Sequence, residues 1–412
     1  MSPGEVAAIM FSVFGVLVLL RVPVAFALGL ACVPIFMIDE RLTPFLLMNE
    51  MFKSYNAFIL LAVPFFLMAA NVMNTAGITD RLIALSRVMV GHLPGGLGHI
   101  NVLVSMLFAG ISGSSTADAA GIGSLLIPQM KKQGYSTSFT VAITACSSVM
   151  GVIIPPSILM VVWGGLMTVS IGGLFLAGVL PGILIATSLM ATVWVYAKLY
   201  GYPTYPRATL KEFAVAVVQG LIPLMTPLII VGGIVGGLFT PTEASVIAVL
   251  YESARFAAIS LFCIGTASAF GWLLAYFQIP RVLVAEVATW GLGLIGTGLM
   301  TAGAFLLIGM FIDAIPAIII LGTVLWPVTE AAGMHPIHFT IIGVISLAFG
   351  LVTPPYGLCL LIACSIGEIK VIAALRDVAI ILVPMLGVLL FVIFFPEAIL
   401  ALPRWLMPRF VN

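Results

Sequence analysis

The sequence predicts an all-α polytopic membrane protein made of two inverted repeats, each with a re-entrant helical hairpin and a broken transmembrane helix. Three observations predict this. Of 412 residues, 62% are hydrophobic and 8% charged, with a mean hydropathy of +1.27, more apolar sequence than a soluble core absorbs. A hydrocarbon layer about 30 Å thick takes about 20 apolar residues per helix, so the length allows on the order of ten crossings. The second observation is an internal repeat: Gly110, Gly123, Pro128, Gly134, Gly151, Pro155 and Pro156 recur without a gap at Gly309, Gly322, Pro327, Gly333, Gly350, Pro354 and Pro355. The third is charge. The first hairpin's ends carry Arg81, Arg87, Lys131 and Lys132, whereas the second has Glu286 and Glu330 and no Lys or Arg between Arg281 and Lys370. By the positive-inside rule the two hairpins enter from opposite faces. Paired Gly/Pro-interrupted apolar segments of this kind point to a transporter whose site lies at the breaks, and inversion is the device alternating access uses.

The elements follow in order. Residues 1–199 form the first repeat, opening with helices near 5–20 and 22–38. The opening lacks a basic start followed by a small-residue cleavage site, so these read as retained helices and not a signal peptide. An amphipathic stretch through Glu50 and Lys53, a spanning helix near 57–73 and a short amphipathic run through Asp80, Arg81 and Arg87 come next. GHLPGGLGH then opens an apolar stretch of roughly 35 residues, about 96–130, whose small polar centre suits a re-entrant hairpin better than one long helix. The helix at about 137–165 is broken at GVIIPPS, where two prolines remove donors and free carbonyls. A helix near 173–197 closes the repeat. The polar segment 200–212, with Arg207 and Lys211, is a linker expected at the cytoplasmic face. Residues 213–412 repeat the plan, with a hairpin at about 293–329 and a broken helix at about 337–366.

One stretch does not fit. Thr242 to Tyr276 is too short for the two crossings and the charged loop that inversion requires, at about 20 residues per crossing. The expectation is a missing segment between Tyr251 and Glu252.

Other classes of chemistry have little support. The net charge of +1 argues against a nucleic-acid surface. Cys32, Cys146, Cys263, Cys359 and Cys364 sit singly in apolar stretches, and His92, His99, His335 and His338 are not at ligand spacing, which leaves no metal site of that kind and no cofactor. Gly110-Ile111-Ser112-Gly113 matches the short GxSG pattern of an intramembrane serine protease, but the histidines lie toward the hairpin mouths and Ser112 at a tip.

The candidate site is therefore the two tips and the two breaks. Neither hairpin has an interior Arg or Lys for an anion. Ser112, Ser114, Ser115, Thr116 and Thr353, with helix N-termini, are the candidate donors, and capping or close helix packing is the alternative use of each hydroxyl. Asp118 and Asp313 are the carboxylates of the tips, functional candidates by their depth; N-capping is the alternative for Asp118. Glu243 in FTPTEAS reads as a helix cap at the membrane face.

GISGSSTADAAGIGSLLIPQM, GVIIPPSILMVVWGG, GGIVGGLFTPTEAS and GLVTPPYGLCLLIA together resemble the large membrane subunit of tripartite ATP-independent periplasmic (TRAP) transporters, the DctM-like group. The resemblance spans nearly the whole chain, except at the Tyr251/Glu252 junction, where the family has a further helical portion and a charged loop. It implies a multi-pass protein of the bacterial inner membrane that works with a small membrane subunit and a periplasmic binding protein. It implies an elevator motion, with sodium as coupling ion. Carried onto matching positions, one sodium site involves Ser112, Gly151, Ile154 and Pro156, and the other Gly309, Gly350, Thr353 and Tyr356. Free carbonyls at the two breaks suit a hard cation independently of the resemblance. A monocarboxylate, C4-dicarboxylate, sugar acid or sialic acid all fit small polar tips; a stand-alone sodium/dicarboxylate symporter is the alternative at the level of fold.

Overall fold

The computed structural model describes residues 1–20, 22–55, 77–235, 252–355 and 357–408. The spanning helix expected near 57–73, Glu243, Tyr356 and the Tyr251 side of the junction lie outside the described residues. Among those described, every regular element is helical. In the first half these are α1 (Pro3–Leu19), α2 (Val24–Ile38), α3 (Pro44–Tyr55), α4 (Ile78–Val90), α5 (Gly96–Ser112), α6 (Ser115–Lys132), α7 (Thr137–Ser148), α8 (Ile158–Met167) and α9 (Ile171–Tyr200). The second half holds α10 (Leu210–Val235), α11 (Glu252–Tyr276), α12 (Ile279–Thr289), α13 (Gly293–Gly309), α14 (Ala314–Ala331), α15 (Pro336–Gly350), α16 (Leu358–Gly367), α17 (Val371–Phe394) and α18 (Pro396–Leu406).

Three described helices, α9, α14 and α17, are long and apolar enough to cross a bilayer unaided. Many of the others are apolar but only 10–17 residues long, because Gly, Pro and hydroxyl residues interrupt them. At several of the interruptions a side chain caps the next helix and satisfies an orphan donor. Ser114 accepts from Ala117 N at 3.4 Å, Ser136 from Phe139 N at 3.3 Å, and Ser157 from Met160 N at 3.2 Å. In the second half Asp313 accepts from Ala314 N at 2.8 Å and His335 Nδ1 from Ile337 N at 3.2 Å. Ser114 and Asp313 are 199 residues apart, as are Ser136 and His335, so the sequence repeat extends to the caps.

The halves interlock. Within the first, α5 and α6 pack on each other and both pack on α7; within the second, α13 and α14 do the same with α15. Across the halves, α6 packs on α16 and α14 on α8, while α7 packs on α17 and α15 on α9. Each cross-contact is the counterpart of another under exchange of the halves. Small residues permit this: the Cβ position of Gly123 on α6 is 3.2 Å from Ile366 Cδ1, and that of Gly322 on α14 is 3.6 Å from Met167 Cε. Lys131 Nζ donates to Gly367 O at 3.1 Å. Trp163 of α8 is fully buried between Phe305 and Phe339, with ring centroids 5.3 and 5.4 Å away, and lies directly on Gly343 of α15.

Candidate functional site

The first tip is the turn between α5 and α6, where Gly113 takes a left-handed φ of 63°. A left-handed conformation favours glycine, and space demands it as well: a Cβ there would stand 2.7 Å from Pro156 O. Gly113 O accepts from Ile158 N at 3.3 Å, so the tip is seated on the interruption between α7 and α8. That interruption runs through a 3₁₀ turn, Val149–Val152, and a cis Pro155–Pro156 peptide. Ser157 Oγ donates to Val152 O at 2.7 Å, closing the loop from inside.

Ser112, Ser114, Asp118 and Gly151 meet at this junction. Ser112 is buried and its hydroxyl donates to Asp118 Oδ1, while Ser114 N donates to Ser112 Oγ at 3.3 Å. Asp118 has no exposed surface, and its Oδ2 has no hydrogen-bond partner among the described residues. That oxygen lies 2.7 Å from the Cβ position of Gly151, and Ser114 O lies 2.9 Å from it. Asp118 therefore does not cap its helix; Ser114 does. Thr116 Oγ1 is 3.1 Å from Ser114 Oγ, and Ser115 is buried beside them. Ile154 N donates to Met150 O at 2.8 Å, which keeps it inside the same loop.

At the second tip Gly309, the last residue of α13, touches Gly350, the last residue of α15: the Cβ position of Gly350 is 2.6 Å from Gly309 C and 3.0 Å from its oxygen. Thr353 N donates to Gly350 O at 3.0 Å, and its hydroxyl donates to Phe349 O at 2.7 Å. Pro354–Pro355 is also cis. Asp313 is exposed and caps α14. No hydrogen bond among the described residues joins it to the Asp118 cluster, and the two acids occupy different places in their repeats.

A polar ladder behind the first tip has no part in the sequence reading. Asn101 Nδ2 donates to Thr144 Oγ1 at 2.7 Å, Ser147 Oγ to Asn101 Oδ1 at 3.0 Å, and Ser105 and Ser147 hydroxyls are 2.9 Å apart. Asn101, with Ser105 one turn on in the same largely apolar helix, is the signal that could have pointed to it. A cavity of about 230 Å³ beside the first break is lined by Met106, Leu107, Gly110, Ile154, Pro155, Val179 and Ile183, with no charged side chain to receive an anion.

Hydrolytic chemistry does not fit. Ser112 and His99 lie on one helix thirteen positions apart, about 20 Å at the helical rise, and His338 Nε2 is engaged with Val392 O at 2.8 Å. Among the described residues no three His, Cys, Asp or Glu gather as a metal site.

The family model of the tripartite ATP-independent periplasmic transporter DctM component matches residues 11–254 and 248–398. The sialic acid TRAP transporter large permease protein SiaM of Vibrio cholerae is 34% identical, over 95% of this chain and 98% of its own. The C4-dicarboxylate TRAP transporter large permease protein DctM of Pseudomonas aeruginosa is 35% identical, over 87% of this chain and 89% of its own. The solved YdaH transporter of Alcanivorax borkumensis shares the fold, with a TM-score of 0.54 at 14% identity, over 85% of this chain and 88% of its own. With a family model matched along most of its length and relatives of this identity aligned nearly end to end, the chain belongs to the TRAP transporter family as a DctM component, a multi-pass large permease and not an enzyme.

Proposed function

We propose that this chain is the permease of a sodium-coupled importer of the bacterial inner membrane, which takes a small organic acid from a periplasmic binding protein and moves it by an elevator motion beside a small membrane subunit. The observation that carries the reading is the buried Asp118 oxygen without a partner, set against Gly151 where the first tip meets the first break. A buried carboxylate oxygen is normally satisfied, and a cation held there by Ser112, Asp118 and carbonyls of Gly151, Ile154 and Pro156 would satisfy it. Gly309, Gly350, Thr353 and Tyr356 are the corresponding second set. Sodium at both supplies counter-charge for an anion in a site that has no Lys or Arg.

Within this reading the hydroxyls of Ser114, Ser115, Thr116 and Thr353 orient the acid, and the N-terminus of α6 adds a favourable dipole. Asp313 orders the second tip by capping α14. Opposite entry of the two hairpins is supported by their opposite charge. SiaM and DctM are named for different acids, so the substrate class stays at organic acid.

The missing segment between Tyr251 and Glu252 belongs to the same proposal, supported by the two family-model matches meeting at 248–254. The intact mass of the protein expressed from its native gene tests it. A mass near 43.5 kDa refutes a segment left out of the numbered chain. An internal deletion is tested separately by restoring the family's segment, which should raise transport.

The function is tested by uptake of labelled acids into proteoliposomes holding this chain and its small subunit. Uptake that needs both a sodium gradient and the binding protein is the expected result. Sodium-driven uptake indifferent to the binding protein would instead indicate a stand-alone symporter.

A further inference from the structure

A large cavity among the described residues lies away from both tips. It has a volume of about 590 Å³, between α4, the linker and the start of α10. Its wall is built by the backbone: Tyr205 N donates to Gly91 O at 3.0 Å and Gly96 N to Pro203 O at 3.2 Å, which folds the linker over the end of α4. Three cations line it, Arg87, Arg207 and Lys211. Arg87 lies 5.3 Å above the Tyr205 ring, and Gln133 Nε2 donates to the Tyr205 hydroxyl at 2.5 Å, fixing that ring. The one carboxylate on the wall, Glu212, is already engaged, accepting from Thr209 N and Thr209 Oγ1 at 2.8 Å each. None of the three cations forms an ion pair among the described residues.

Apolar surface adjoins the cations. On α10, Leu210 is 88% and Val218 68% exposed, and Val215, on the cavity wall, is 49% exposed. A cationic pocket opening onto an exposed apolar helix face matches a molecule with an anionic head and hydrocarbon tails. Basic pockets between membrane helices bind lipid head groups on this principle.

We propose that this cavity is a binding site for one anionic phospholipid, its phosphate held among Arg87, Arg207 and Lys211 and its acyl chains laid along Val215 and Val218. The lipid fastens the linker to α4 and α10. The inference needs only that the chain is a membrane permease; it does not depend on sodium, substrate or elevator motion.

The experiment is native mass spectrometry of the purified complex titrated with phosphatidylglycerol and, separately, with phosphatidylcholine of the same acyl chains. Arg207 and Lys211 are exposed, so Arg207→Gln with Lys211→Gln leaves the packing in place. Phosphatidylglycerol should bind the native protein in preference, and the double variant should bind it about thirtyfold more weakly, at about 1 kcal/mol per cation removed. Arg207→Lys with Lys211→Arg should restore binding, which separates lost charge from lost fold. Equal retention of the two lipids, or an unchanged double variant, overturns the proposal. So does displacement of phosphatidylglycerol by millimolar inorganic phosphate, which would assign the pocket to a free anion.

Discussion

Gly350→Ala tests the contact on which the second tip is built. The added methyl carbon would stand 2.6 Å from Gly309 C and 2.7 Å from its Cα, backbone atoms that cannot rotate aside. Ordinary carbon contact is about 3.5 Å, so α13 and α15 must part by about 0.9 Å. Overpacking of this kind costs about 1–3 kcal/mol, and the better helix propensity of alanine offsets at most about 1 kcal/mol of it. The carbonyls of Gly309 and Gly350 shift with the helices, so sodium half-saturation should rise about tenfold, a loss of about 1.4 kcal/mol. Gly303→Ala is the control, because it lies on the same α13 with no heavy atom of the described residues within 4 Å of its Cβ position; it should be neutral or stabilising. The assays are the thermal midpoint of the purified complex and the sodium dependence of uptake. If Gly350→Ala matches Gly303→Ala in both, the glycine contact neither constrains the tip nor positions an ion, and the reasoning fails.

Asp118→Asn keeps the shape of the first junction and removes its charge. Loss of one charged contact, about 1.5–3 kcal/mol, should raise sodium half-saturation at least about tenfold with the fold intact, whereas unchanged sodium dependence would make Asp118 purely structural. Asn101→Ala removes two bonds between α5 and α7. At about 0.6–2 kcal/mol per interhelical bond in a membrane, a lower thermal midpoint with sodium half-saturation preserved is expected; a midpoint equal to wild type would deny the ladder a stabilising role. In the loop after α2, Arg41 binds both oxygens of Asp39 at 2.9 and 2.7 Å and holds its carboxyl at about 2, below the ordinary 3.8. A depressed carboxyl contributes stability above its unfolded value and loses it as pH falls through the folded one. The midpoint gap between wild type and Asp39→Asn should thus be full at pH 7, shrink below about pH 4 and vanish near pH 2, and a gap independent of pH would refute the ion pair as its source.

The breaks were legible because glycine and proline are costly inside apolar helices and their spacing is repeated; the offset of 199 even predicts which caps correspond. What the sequence left open was the use of each hydroxyl and acid. Asp118 and Asp313 both lie near a tip, yet one faces Gly151 and the other caps α14. A shift of one or two residues in a helix start decides between those fates, and helix ends are the least certain feature of a sequence. The offset does contain the answer in part, since Asp313 corresponds to Ser114, a cap, and not to Asp118. The ladder at Asn101 was hidden for another reason: its partners are 43 and 46 positions away, and no local pattern reports such a pairing.

The exchange between halves bears on how a site at two breaks can move. If each repeat packed only on itself, the two tips could separate, and a substrate held between them would be released by any relative motion. Here the second arm of each hairpin packs on the second segment of the other repeat's broken helix, α6 on α16 and α14 on α8, with α9 and α17 crossing over in the same sense. Trp163 reinforces the exchange by placing an α8 ring between side chains of α13 and α15. Interlocked, closely packed contacts of this kind are bistable at most and not continuously deformable. Tips and breaks are therefore best described as one body, and any displacement of the site must be taken up where that body joins the rest of the chain. One such joint is the fold of the linker over the end of α4. The lipid proposed there would act on the joint itself, outside both proposed ion sites, and would alter the rate of the proposed motion without altering the affinity of either tip.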